Sequence, residues 1–524
     1  MAESSATEPD DKFGQLELIG LEHVEKDGST MRSELRRRSN GKIIRVLYGV
    51  RGGSMAFSAD EIIVGLKDGA DSTSALGAFS PSNIRHINAN TVVVKLSNLS
   101  YVTLTDTLEE FNKSEHVRYA EKNYVVSSTL SASGIGAQSV PNDPGVQWHL
   151  NQTNDADIDA YEAWPVISSA GNLKIAILDT GVRRSHQDIL PNFNTNIQYD
   201  FAYGDGIADD VDGHGTHVAG IAAAQGDNGF GGTGVAQDAE IIAGKVLDNN
   251  GNGVISDIVA GMNWAISEGA KVLNLSIGST STNAPRQQSI ADALMNARDA
   301  KVIVVFAAGN LGINNDQTDY YPADFSTEFD NVITVASSTE SDLLAGSSNY
   351  GFNSVNVAAP GTNIYSTYNI ADNSYALDSG TSMAAPIVAG MAALIEAHFV
   401  ENNPAKTIQR IENSVDYKSA FEATVSSKGR VNLRRSLSLF SLKPTSAGTT
   451  GTRWGSSTIQ WIDDTNAPWF WSFRIGEWFY TSSTDLEDIW LYSNTNETWY
   501  YTRSSYFPGA FKDGSVWVNL ENEF

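Results

Sequence analysis

The segment 378–390, DSGTSMAAPIVAG, sets a serine between a Gly-Thr turn and a run of small apolar residues. The stretch 384–396 is dense in Ala and aliphatics, the composition of a helix buried on nearly all sides. Ser382 falls at the N-terminus of that helix, beside unsatisfied N–H groups and the positive dipole end. Pro386 lies near the start, where a missing donor costs least. A serine so placed can be a plain N-cap, or a nucleophile whose oxyanion the neighbouring N–H groups stabilise. Three other residues bear on the choice. Asp179 ends the apolar run LKIAIL (173–178), in LDTGV; His214 stands in DGHGTHVAG; Asn310 ends VIVVFAAGN (302–310). A nucleophile, a base, a carboxylate to hold the base and an amide donor are the four roles that acyl transfer needs. His217 makes an HxxH spacing with His214, but two histidines alone do not define a zinc site.

These residues need a frame. Apolar strand-like runs at 173–178, 239–246, 272–276, 302–307 and 332–336 alternate with helical patterns at 217–224, 255–267 and 289–300. Strand–helix repetition with continuous apolar strands predicts a parallel sheet covered on both faces, whose reactive groups gather at the carboxyl ends of the strands. Before this unit, 61–66 and 91–96 read as strands, 104–113 as an amphipathic helix and 118–126 as a last strand. Residues 1–58 give no clear pattern, and Arg36, Arg37 and Arg38 read as a solvated basic patch. The small, polar stretches 127–140 and 441–451 have linker composition. Trp at 454, 461, 469, 471, 478, 490, 499 and 517 marks the end of the chain as different from the rest.

The 524 residues carry 35 Lys+Arg against 62 Asp+Glu, a net charge of −27, which argues against nucleic acid as a partner. With no cysteine, disulfide and thiolate chemistry are excluded. No apolar run reaches the roughly 18 residues of a membrane span. The segment MAESSATEPDDKF lacks the charged-then-apolar order of a signal peptide.

The motifs DTGV, HGTHVAG, AAGN and GTSMAAP together resemble the subtilisin-like serine peptidases, in the thermitase/subtilisin branch, over about 143–439. The resemblance implies an α/β fold, a three-layer sandwich around a parallel sheet. It implies a secreted serine endopeptidase in which Asp179 orients His214, His214 is the base, Ser382 the nucleophile and Asn310 the oxyanion donor. Ser276, Ile277 and Gly278, with Gly251, Asn252 and Gly253, would pair with an extended peptide substrate. Tyr320 would make the primary pocket shallow, within a broad specificity. Structural Ca²⁺ would sit on Asp143, Asp188 and Asn228 with the carbonyls of Gln225, Phe230 and Gly232, and at a second site on Asp200, Asp205 and Asp209. No cofactor is implied for catalysis, and a monomer is expected.

The same resemblance divides the chain into an extension (1–58), an inhibitory α+β propeptide (59–128), a processing linker (129–141), the catalytic domain (142–440), a second linker (441–452) and a small Trp/Tyr-rich β domain (453–524). The propeptide would be an intramolecular inhibitor, removed by the enzyme itself. A different class of function is an inactive peptidase scaffold that adheres to surfaces through the aromatic tail. An intact set of four catalytic residues favours the peptidase.

Overall fold

The computed structural model describes residues 16–26, 29–48, 54–77, 79–128, 147–278, 286–399 and 402–437, and the strands within 443–519. Asp143 and the linker 129–141 lie outside the described residues.

Nine strands make the central sheet. Its order runs 416–417, 429–430, 357–360, 332–338, 303–307, 272–275, 174–179, 240–245 and 193–200. All pairs are parallel except the first, where Asp416–Tyr417 opposes Gly429–Arg430. The period-2 alternation of a strand divides the side chains between two cores. Ile175 and Ile177 join one cluster with the helices His214–Ala223 and Thr381–Phe399. Ala176 and Leu178 join the other, with Ile255–Ser267 and Gln288–Asp299. The inner strands 272–275, 303–307 and 332–338 are buried along their whole length because both faces are covered, whereas the edge strand Phe193–Asp200 is polar and partly exposed. The helix Thr381–Phe399 is long and apolar enough to cross a membrane, yet 78% of that window is buried inside the fold. Its apolarity belongs to a core position.

The N-terminal part corrects the expectation of a patternless extension. Strands Glu17–Lys26, Ser29–Arg37, Ile43–Tyr48 and Ser54–Leu66 run antiparallel in the same sheet as Thr91–Lys95 and Val117–Ser128. The boundary expected at 58/59 therefore falls inside one 13-residue strand. Of the arginine patch only Arg37 is exposed: Arg36 and Arg38 are buried, on Glu34 and Asp248 respectively.

Beyond the catalytic unit, nine short strands from Lys443–Pro444 to Val516–Asn519 pair in sequence order as an antiparallel meander. The first two begin inside the stretch read as the second linker, and Thr452–Trp454 crosses its 452/453 boundary. The register sets residue 471 opposite 478 and residue 490 opposite 501 in this sheet.

Candidate active site

Three neighbouring strands of the central sheet deliver the site. Asp179 is the last residue of Lys174–Asp179, Ser276 follows Val272–Leu275, and Asn310 lies three residues beyond Ile303–Ala307. The carboxyl ends of adjacent parallel strands lie about 4.8 Å apart, so these residues converge.

His214 opens its helix behind Gly213. Its Nδ1 lies 2.6 Å from Asp179 Oδ1, both side chains fully buried. A carboxylate there can only accept, so Nδ1 carries the proton and the neutral ring leaves a lone pair on Nε2. Gly215 permits the approach: a Cβ at that position would lie 3.1 Å from Asp179 Cβ and 2.1 Å from the Gly181 carbonyl oxygen. Burial would depress the imidazole pKa, but the charge and hydrogen bond of Asp179, with Asp212 and Asp378 beyond, push it up to about 9.

Ser382 is the second residue of its helix. Its hydroxyl donates to the Ser276 carbonyl at 3.3 Å, while the Ser276 hydroxyl donates to the Ser382 carbonyl at 2.9 Å. His214 Nε2 is buried without a hydrogen-bond partner among the described residues, so the serine–histidine bond is not formed in this structure. Such contacts commonly tighten only when substrate is bound. The Thr381 N–H donates to Asn310 Oδ1 at 3.0 Å. Because a backbone N–H can only donate, the asparagine oxygen is fixed on that side and its NH₂ is aimed elsewhere.

Three carboxylates around the histidine were not singled out in the sequence. Asp210 accepts from the Thr180 hydroxyl at 2.9 Å, the Gly213 N–H at 2.9 Å and the Thr216 N–H at 2.9 Å, tying the Asp179 turn to the start of the histidine helix. Asp212 accepts from the His214 N–H at 3.2 Å. Burial pushes Asp378 up to about 6, with His214 opposing. All three lie within or beside the quoted motifs, and that adjacency was the available signal. His217 is a structural residue: its Nε2 meets the Ala376 carbonyl at 3.1 Å, and burial lowers its pKa to about 4.

The two edge segments are occupied by the chain itself. Val125, Val126 and Ser127 pair antiparallel with Val254, Gly253 and Asn252, and Ser127 and Ser128 pair with Gly278 and Ile277. The Ser128 N–H donates to the Gly251 carbonyl at 2.8 Å. A single strand thus lies between both edges. Tyr320 is buried against Gly278, where a Cβ would come 2.4 Å from its ring.

The carboxylates expected to bind metal divide into two cases. Asp188 is fully buried and accepts from the Asn228 amide at 2.9 Å and the Tyr375 hydroxyl at 2.6 Å. No cationic side chain pairs with it among the described residues. The Asn228 oxygen accepts from the Phe230 N–H at 2.9 Å, so its nitrogen faces Asp188 here; with that amide turned over, the buried carboxylate, the amide oxygen and the loop carbonyls would make an oxygen-only donor set that fits Ca²⁺. Asp200, Asp205 and Asp209 do not converge. Among the described residues only Asp157, Asp159 and Glu162 bring three such ligand atoms within 4.8 Å of one another. Asp200 turns onto the Tyr203 N–H at 2.8 Å, Asp205 onto the Ile207 N–H at 2.9 Å, and Asp209 lies 3.8 Å from Arg184. Local partners have taken each of the three.

The subtilase family profile matches residues 170–434. Thermitase of Thermoactinomyces vulgaris is 41% identical over 293 residues, 56% of this chain and 97% of the relative. A thermophilic serine proteinase of Bacillus sp. (strain AK1) is 34% identical over 383 residues, 72% and 87% of the two chains. The minor extracellular protease Epr of Bacillus subtilis is 33% identical over 305 residues, covering 58% of this chain and 43% of the relative. A solved protease structure from Pseudoalteromonas arctica superposes with a TM-score of 0.50 at 32% identity, over 57% of this chain and 99% of that one. The chain belongs to the subtilase family and is a serine endopeptidase with the subtilisin-like fold.

Proposed function

We propose that this peptidase is a self-processing zymogen working through Asp179, His214 and Ser382. His214 Nε2 takes the Ser382 proton as the oxygen attacks the peptide carbonyl, and Asp179 steadies the imidazolium. Asn310 Nδ2 and the Ser382 N–H receive the oxyanion; His214 then protonates the leaving amine, and water hydrolyses the acyl-enzyme. The observation that carries the reading is the buried 2.6 Å Asp179–His214 bond, at the strand ends where Ser382 and Asn310 also lie. Asn310→Ala is expected to lower kcat by roughly 10²–10³, the loss known for the equivalent donor in a subtilisin. A change under threefold in kcat would remove Asn310 from the oxyanion site.

Residues 17–128 act as the intramolecular inhibitor. Support comes from Val125–Ser128, which fills both edges as a product strand would. Main-chain pairing reads any sequence, so specificity is broad, and Tyr320 limits the depth of the primary pocket. The pairing ends at Ile277↔Ser128, one residue from the Ser276 carbonyl that holds the Ser382 hydroxyl. The first cut is expected between Ser127 and Pro141. N-terminal sequencing of wild type beside Ser382→Ala tests this. A Ser382→Ala chain that matures at the same bond, with no other protease present, would show that the cut is not the enzyme's own.

Asp188 and Asn228, with the carbonyls of Gln225, Phe230 and Gly232 and with Asp143, would hold a structural Ca²⁺ that stiffens this surface. Its contribution is to stability, and no catalytic step passes through it. With calcium a hundredfold above its Kd, chelation is expected to lower the melting temperature of a catalytic domain of this size by about 3–5 °C. Asp188→Ala should remove most of that response. Superimposable melting curves with and without EDTA would refute the site. Protein and peptide substrates outside the cell fit this reading, since one relative is named as an extracellular protease. No observation favours the inactive adhesive scaffold.

A further inference from the structure

The turn between strands Ser29–Arg37 and Ile43–Tyr48 reaches out of the N-terminal sheet onto the catalytic unit. Arg38 Nε donates to Asp248 Oδ2 at 2.8 Å, its NH₂ group donates to the Asn252 carbonyl, and both charged side chains are completely buried. Asp248 in turn shapes the edge loop: its other oxygen accepts from the Asn250 N–H at 2.9 Å and the Asn252 N–H at 3.2 Å. Asn252 is the residue that pairs with Ser127. Around this point, Asn40 donates to the Ala202 carbonyl at 3.0 Å, Ser39 meets the Tyr203 hydroxyl at 3.1 Å, and Lys42 Nζ donates to Asp257 at 2.8 Å.

We infer that the turn 38–42 is a latch that grips the back of the substrate-edge loop and holds the N-terminal unit in place after the chain has been cut. This rests on the inhibitor reading above and adds a second attachment point to it. The strand Val125–Ser128 can be held only while it competes with substrate along the edge; Arg38 holds the same loop from a side that a substrate strand paired to that edge does not need. The two kinds of ion pair differ in exposure. Lys42 and Arg85, both on Asp257, line a cleft of about 850 Å³ between the two units, so water and salt reach them. Arg38 and Asp248 are dry, and a guanidinium fork on a carboxylate and a carbonyl keeps its strength there. Removing one partner of such a pair leaves a buried charge uncompensated.

The test follows activity per cut chain over time in the full-length protein. Residue 38 is absent from the mature enzyme, so the final specific activity should be the same in wild type and variants. Wild type should show a lag between the cut and the appearance of activity. In Arg38→Gln, release of the cut N-terminal unit should be about a hundredfold faster and the lag should collapse; Arg38→Lys should fall between. Arg36→Gln, which breaks a pair with Glu34 inside the same sheet, is the control for simple weakening of that sheet. A normal wild-type lag that Arg38→Gln leaves unchanged, or that Arg36→Gln shortens equally, would overturn the latch alone. A wild type fully active from the moment of the cut would overturn the latch and the inhibitor reading together.

Discussion

Replacing Ser382 by alanine is expected to lower kcat on a peptide substrate by on the order of 10⁶, the scale known for the same change in a subtilisin. The loss is so large because the hydroxyl is the only atom the change removes that can form the acyl bond. The oxyanion donors and the edge pairing survive, so a residual 10³–10⁴ over water should remain. Stability should barely move. The hydroxyl's bond to the Ser276 carbonyl is long, 3.3 Å, and a net hydrogen bond of this kind contributes at most about 1 kcal/mol. Three measurements belong together: turnover, labelling by a fluorophosphonate and the melting temperature. Retained turnover at the wild-type level would sink the assignment. Lost turnover with an unfolded chain would mean that the serine's role is structural.

Asp179→Asn should cost on the order of 10⁴ in kcat and should move the pH profile as well. An asparagine amide can donate to Nδ1, which places the imidazole proton on Nε2, where it cannot accept the serine's proton. The pH effect follows from the same contact. A general base works only when deprotonated, and Asp179 is the chief group raising the His214 pKa to about 9 against burial. The acid limb of kcat/KM in the wild type should therefore rise with pH toward about 9. Without the aspartate charge the histidine loses its proton at lower pH, so the residual activity should rise earlier on the pH axis. An acid limb at the same pH in both proteins would mean that some other group sets it.

The catalytic half was largely readable because two independent constraints coincide there. Buried parallel strands must be apolar on both faces, which makes runs such as Val302–Ala307 conspicuous. The chemistry places its polar residues where those runs end. Helix Ile255–Ser267 appears with the bounds expected for it, and Gln288–Asp299 within one residue at each end. The first three strands, Glu17–Lys26, Ser29–Arg37 and Ile43–Tyr48, were invisible for the opposite reason. Their buried face is partly built of ions: Glu34 holds Arg36 and Arg32, and Arg45 reaches Glu22 and Ser33. A hydropathy pattern counts such residues as surface, and only the partners, distant in sequence, reveal that they are inside. Asp200, Asp205 and Asp209 show the converse failure. Three acids within ten residues look like one site, but each found its own N–H or arginine first. The spacing of acids along a loop does not show where their oxygens point.

The strand between the two edge segments bears on what this enzyme can digest. Under the proposed reading, a substrate would pair where Val125–Ser128 does, with Asn252–Val254 on one side and Ile277–Gly278 on the other. A target must therefore present a stretch that is fully extended and has both rows of its main-chain groups unpaired. Few folded proteins offer this at equilibrium, because their backbone groups already have partners. Cleavage of a native target is then gated by the target's own local opening, and its rate should scale with the population of that open form. Across a set of folded proteins, susceptibility should rank by loop-opening free energy more closely than by the residue at the cut bond.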